Sequence, residues 1–226
     1  MSEPLIVTRH LKKDYPLGKT MVNALRGVDV TIGRGEYLCV AGPSGAGKST
    51  FLNLIGLLDR ATTGEIDFDG QAVQTLKPKA FHRFRRQRIA FIFQSFNLVP
   101  VLNAYENIEF PLLIQNVEAS ERRRRIDAVT EEVGIRDWLK HRPDELSGGQ
   151  RQRVAIARAL VTKPEVVIAD EPTANLDSVT GRTILDMMER LNKEEQTTFI
   201  IASHDGALMD KAGRVIRIVD GLVQHA

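Results

Sequence analysis

The chain has 226 residues, 42% hydrophobic and 27% charged, which fits one folded α/β domain and excludes a disordered or fibrous protein. Lys and Arg number 31 against 29 Asp and Glu, so a formal charge of +2 supplies no overall field to recruit nucleic acid. The single cysteine, Cys39, excludes an internal disulfide framework and any multi-cysteine zinc site. Met1 to Leu11 does not read as a signal peptide. The longest uncharged run, Ile89 to Tyr105, is interrupted by Gln94, Asn97, Pro100 and Asn103 and falls short of the roughly 20 apolar residues of a spanning helix. A soluble chain is therefore expected, with any membrane role reached through a partner.

In chain order, Val28 to Ile32 alternates apolar and polar residues, as a half-exposed antiparallel strand does. Glu36 to Ala41 is a short apolar strand that runs into a glycine turn. Lys48 to Asp59 follows as a helix that is apolar nearly all round, and Gly64 to Gly70 again alternates. Ile89 to Phe93 is an apolar strand. From Phe96 to Val161 the texture changes: Glu121 to Lys140 reads as a helix, Gln150 to Ala159 as another, and Pro100, Pro111 and Pro143 punctuate the stretch. We read residues 96–161 as a helical insertion within a single 1–226 unit, because apolar strands resume at Val166 to Ala169 and Thr198 to Ala202 around a helix at Thr183 to Glu195. This alternation predicts an α/β fold with a mainly parallel sheet, a small antiparallel β-subdomain beside it and an inserted helical subdomain.

Gly42-Pro43-Ser44-Gly45-Ala46-Gly47-Lys48-Ser49, followed by Thr50, satisfies G-x-x-x-x-G-K-[ST] between a strand and a helix. Consecutive backbone N–H groups of such a turn, with the helix N-terminus, wrap phosphate oxygens. Lys48 is expected to bridge the β- and γ-phosphates, and the Ser49 hydroxyl to coordinate Mg²⁺. Such a loop needs an acid on a neighbouring strand, and Val166-Val167-Ile168-Ala169-Asp170-Glu171 supplies two. Alternating strand side chains would then divide the work. Asp170 is expected to hold Mg²⁺, and Glu171 to polarise the attacking water.

Leu146-Ser147-Gly148-Gly149-Gln150 resembles the signature of the ATP-binding cassette (ABC) ATPases. Ser147, Gly148, Gly149 and Gln150 cap a helix, and no second phosphate loop exists in the chain. That cap is therefore expected to face ATP held by a second copy in a head-to-tail dimer. The resemblance implies further roles: Gln94 as the Q-loop residue near Mg²⁺ and the reactive water, Ala174-Asn175-Leu176-Asp177 as a D-loop with Asp177 reaching across the dimer, His204 as the switch histidine, and Tyr15 as the aromatic on adenine. It covers nearly the whole chain and implies a P-loop NTPase with a RecA-like core. Phe93 to Pro100, Ala104 to Ile108, Pro111 to Leu113 and Glu171 to Asp177 look like the lipoprotein-release and macrolide-export group. Ala90 and Ser203 depart mildly from it.

That likeness implies Mg-ATP hydrolysis driving a separate integral membrane permease, with the subunit peripheral at the cytoplasmic face of the inner membrane and no specific nucleic-acid binding. A regulator that works on a periplasmic enzyme through the same membrane geometry is the alternative. Chromosome-organising and DNA-repair relatives are disfavoured, because Lys48 to Leu146 is short and lacks sustained heptads. Two basic runs, Arg83 to Arg88 and Arg122 to Arg125, read as solvated faces, with attraction to an anionic leaflet as the weaker reading.

Overall fold

The computed structural model describes residues 3–18 and 20–224; the first two and last two positions of the expected 1–226 unit and Lys19 lie outside the described residues. β1 (Pro4–Leu17) and β2 (Thr20–Gly33) form a long antiparallel hairpin. β3 (Tyr37–Ala41) leads through the glycine turn into α1 (Lys48–Ile55). β4 (Thr63–Phe68) joins the other edge of β1, and β5 (Gln71–Ala72) joins β4, giving a four-stranded sheet in the order β2-β1-β4-β5. α2 (Pro78–Arg88) returns the chain to β6 (Ile89–Ile92). Three helices follow: α3 (Ala104–Ile114), α4 (Ala119–Glu132) and α5 (Gly148–Leu160). β7 (Val166–Asp170), α6 (Ser178–Glu195), β8 (Thr198–Ala202), α7 (Gly206–Lys211), β9 (Arg214–Val219) and β10 (Leu222–Gln224) complete a six-stranded sheet in the order β10-β9-β3-β8-β7-β6. All of its pairings are parallel except β9 with β10.

Every residue of β3 and β8 is buried, as strands covered on both faces require. Their side chains alternate between two cores. Cys39, Ala41, Val167, Ala169, Phe199 and Ile201 meet the helices on one face. Leu38, Val40, Val166, Ile168, Ile200 and Ala202 meet α1 and the antiparallel sheet on the other. Of the expected alternating strands, Val28, Val30 and Ile32 do point inward while Asp29 and Thr31 stay exposed.

Four expectations need correction. The acid-bearing strand β7 does not adjoin β3, because β8 lies between them. Both parallel strands nevertheless end on the same edge of the sheet, which is where their loops can meet a ligand. The helix expected to run to Lys140 stops at Glu132, where Gly134 turns left-handed at φ 66° and Arg136–Trp138 form a separate short 3₁₀ turn. The helix after the glycine turn stops at Ile55 rather than near Asp59; Gly56 lies against the Phe91 ring with no room for a side chain, and Leu57 is left-handed. Conversely, the helix expected from Thr183 starts at Ser178, because the Asp177 carboxylate accepts the Val179 and Thr180 N–H groups at 3.1 and 3.0 Å.

Much of both basic runs is engaged within the chain. Arg88 pairs with Asp69 and Glu165, which Arg34 also joins at 2.6 and 3.0 Å, so two guanidinium groups and two carboxylates tie the two sheets together. Arg88 beside it holds the Asp69 carboxyl below its usual range. Arg122 pairs with Glu109 at 2.8 Å, and Arg124 and Arg125 both pair with Glu121 at 2.7 Å. Among the described residues no helix is long and apolar enough to cross a membrane.

Candidate active site

The glycine turn takes its shape from backbone torsions that side chains rarely adopt. Gly42 (φ 150°) has the Ile218 carbonyl oxygen where a Cβ would stand, and Gly47 (φ 104°) caps α1 from the left-handed region. The first turn of α1 holds no acidic residue and no side-chain cap, so its N–H groups and positive end are available to an anion. Lys48 Nζ lies over the turn, donating to the Gly42 and Pro43 carbonyls at 2.8 and 3.1 Å. The β9–β10 turn, Asp220-Gly221, braces it from behind: the Gly221 N–H donates to Ala46 O at 3.0 Å, and the Gly221 carbonyl accepts the Arg26 N–H at 2.8 Å.

This turn floors a cleft of about 1070 Å³ whose lining includes Gly42 to Gly45, Gly47, Lys48, Ser49 and Thr50. Gln94, Asp170, Glu171 and His204 line it as well, each from the C-terminal end of a strand or the loop after it. The two acids reach it together, not on opposite faces as strand alternation predicts. Glu171 has left β7 with φ 47°, and its N–H still donates to Ala202 O at 3.0 Å. A left-handed glutamate is strained, and here the strain turns its carboxylate back over the cleft. Its Oε1 lies 2.9 Å from His204 Nδ1; the Glu171 side chain is 17% and that of His204 75% exposed.

Ser147 to Gln150 do not line this cleft. Ser147 is the N-cap of α5: its Oγ accepts the Gln150 N–H at 3.3 Å, and Gln150 Oε1 accepts the Ser147 N–H at 2.8 Å. The double glycine also has a packing reason inside the chain, since a Cβ on Gly149 would stand 2.6 Å from the Thr180 methyl and one on Gly148 3.2 Å from Leu176. Asp177 is exposed, and bonds to Thr180 hold its carboxyl below the ordinary range. Tyr15 stands on β1 opposite Val22, its hydroxyl donating to Asp59 Oδ2 at 2.8 Å under the Lys13 ammonium, and it is not among the lining residues.

Sequence reasoning missed Val22, Asn23, Ala24 and Arg26 of β2, which line the cleft beside the glycine turn, and Asp220-Gly221. Asp220 and Gly221 both have positive φ, as the two-residue hairpin turn they form demands, and the Asp-Gly dipeptide was a readable signal for it. It also missed Arg158. This α5 side chain donates to the carbonyls of Phe96 and Asn97 at 2.7 and 2.5 Å, holding two left-handed residues just beyond Gln94, and burial lowers its pKa. Arg158→Met should remove the charged donor that both carbonyls share and loosen the loop that it holds. Faster amide hydrogen exchange across residues 94–100 and a several-fold lower ATPase rate are expected. Unchanged exchange would dismiss the clamp.

A parallel sheet that turns a lysine, a serine, two acids and an amide toward one phosphate-shaped turn marks a P-loop NTPase. Residues 25–174 match the ABC transporter family, and the chain belongs to it. It is 42% identical over 219 residues to the lipoprotein-releasing system ATP-binding protein LolD of Geobacter metallireducens, covering 97% of both chains. It is also 42% identical over 222 residues to the macrolide export ATP-binding/permease protein MacB of Syntrophobacter fumaroxidans, covering 97% of this chain and 31% of that one. The dimeric post-hydrolysis structure of the cassette MJ0796 bound to ADP and Pi superposes with a TM-score of 0.90 at 39% identity, covering 98% of this chain and 97% of that one. The chain is thus an ABC transporter ATP-binding subunit and an ATPase.

Proposed function

We propose that two copies of this chain close head-to-tail on two ATP molecules and thereby drive a separate membrane subunit of the lipoprotein-release or macrolide-export type. The single observation that carries this reading is the separation of two complementary half-sites. One cleft gathers Lys48, Ser49, Gln94, Asp170, Glu171 and His204, while the Ser147 cap of α5, with no acid in its first turn, opens elsewhere. A second copy set head-to-tail brings the two together.

In that arrangement the turn from Gly42 to Thr50 grips the phosphates, and Lys48 exchanges its carbonyl partners for β- and γ-phosphate oxygens. Glu171 accepts the proton of the attacking water, and His204 steadies the carboxylate and the γ-phosphate. From the partner copy, Ser147 and the N–H groups of Gly148 and Gly149 cap the γ-phosphate, with Gln150 and Asp177 at the seam. Tyr15 is assigned to the adenine side of the hairpin. Ser49, Gln94 and Asp170 offer only oxygen donors, one of them a carboxylate, which fits a Mg²⁺ held chiefly by substrate phosphates. Bound there, the ion neutralises charge on the β- and γ-oxygens.

The membrane subunit is assigned to the face beside the Q-loop. There Leu58, Phe91, Phe93, Phe110, Pro111 and Ile114 are among the lining of a mainly apolar groove of about 410 Å³. Phe110, Leu113 and Ile114 are 44–45% exposed, an apolar cluster of the kind that marks a docking site. Cys39 is buried with its thiol pushed up to about 11, so Phe110→Cys would present the one reactive thiol. Crosslinks from that introduced thiol to a co-purifying membrane subunit are expected; no crosslink from it, with Met21→Cys on the exposed β1–β2 hairpin crosslinking instead, would reject the assignment.

A further inference from the structure

We infer that Gln152 is a positioning residue of the ATP cycle: its side-chain amide, unpaired in the single chain, takes up backbone partners at the D-loop–Q-loop junction when the signature helix closes on nucleotide. Gln152 is fully buried (0% exposed), and neither its Oε1 nor its Nε2 has a hydrogen-bond partner among the described residues. A buried carboxamide with no partner destabilises the state that holds it, and a methionine of the same reach would pack there without that cost. An amide kept at such a position points to a second state in which it is satisfied.

The helix geometry says where. Gln152 lies four residues beyond Gly148 on α5, hence on the same stripe one turn further along. Gly148 faces the Leu176 side chain and the Asn175 carbonyl, 3.2 and 3.6 Å from where a Cβ would stand. Helical side chains lean toward the N-terminus, so the Gln152 amide leans back along the stripe toward that same pair. The D-loop and Q-loop are already joined there, because Asn175 Nδ2 donates to Gln94 O at 2.8 Å. A movement of α5 against this junction on closing is the step that engages the amide. Gln152 then links the cap that senses the partner's γ-phosphate to the backbone carrying Gln94.

This rests on the ATP-closed dimer proposed above, and the test separates the two. Dimerisation with ATP is measured by sedimentation for Glu171→Gln and for Glu171→Gln with Gln152→Met, alongside the nucleotide-free melting temperature of each. The double variant should dimerise about tenfold more weakly, the scale of one recovered buried hydrogen-bonding group, while its melting temperature stays equal or rises. Equal dimerisation overturns the role of Gln152. A melting temperature lowered by several degrees also overturns it, since the amide would already be satisfied in the single chain. Failure of the Glu171→Gln chain itself to dimerise removes the closed dimer and this inference with it. A crystal structure of the ATP-bound Glu171→Gln dimer, with Gln152 intact, gives an independent reading. The amide should lie within about 3.2 Å of a backbone group of the Gln94 or Asn175 loops; an amide still unpaired, or bonded to buried water alone, refutes the proposal.

Discussion

Glu171→Gln should bind ATP as tightly as the parent chain yet turn it over about two to four orders of magnitude more slowly, the scale of losing a general base. The substitution is isosteric, so the left-handed turn at φ 47° and the cleft it overhangs stay as they are. The amide can still meet His204 Nδ1, which lies 2.9 Å from the carboxylate. What it cannot do is accept a proton from water. Nucleotide is then held without being consumed, and the closed dimer should accumulate with ATP and fall apart with ADP. Single-turnover kinetics and light scattering of the two nucleotide states check this. A variant that hydrolyses at the parental rate would place the base elsewhere in the cleft.

Lys48→Ala should fail one step earlier, at binding. In the single chain the ammonium rests on two carbonyls of its own turn, at 2.8 and 3.1 Å, which holds it over the turn proposed to receive the phosphates. Removing a charged hydrogen-bond donor costs about 1.5–3 kcal/mol, so ATP affinity should fall by about ten- to a hundredfold, measured by calorimetry. The turn itself should survive, because its shape comes from Gly42, Gly45 and Gly47 and from the Gly221–Ala46 bond rather than from Lys48. Unchanged affinity would mean the phosphates sit away from this turn. The pair of variants separates binding from chemistry: one should trap ATP, the other should scarcely hold it.

The parts of the site legible in the sequence are those whose function is written in adjacent residues. Gly42 to Ser49 encodes a turn of consecutive N–H groups, and Ser147 to Gln150 encodes a helix cap; each needs only local torsions and short-range hydrogen bonds. Val166 to Glu171 announced an acid pair at a strand end. Its neighbours were not legible. That β8 separates β3 from β7, that Glu171 turns left-handed, and that Val22, Arg26 and Asp220 wall the cleft all depend on partners far away in the chain. Arg158, read as one more helical residue, acquires its role only because α5 packs beside the Q-loop carbonyls. The helix boundaries at Glu132 and Ile55 were misplaced for the opposite reason: Gly134 and Gly56 were readable stop signals that the surrounding apolar pattern outweighed.

By itself, then, the order of residues determined the chemistry: a phosphate turn, a basic head over it, an acid pair and a separate serine-glycine cap. Only the tertiary structure decided which of these meet. Strand order follows from burying both faces of β3 and β8 at once, a competition among distant apolar segments that no local pattern encodes. That competition puts Lys48, Asp170, Glu171 and His204 on one edge of the sheet and leaves Ser147 outside the cleft they share.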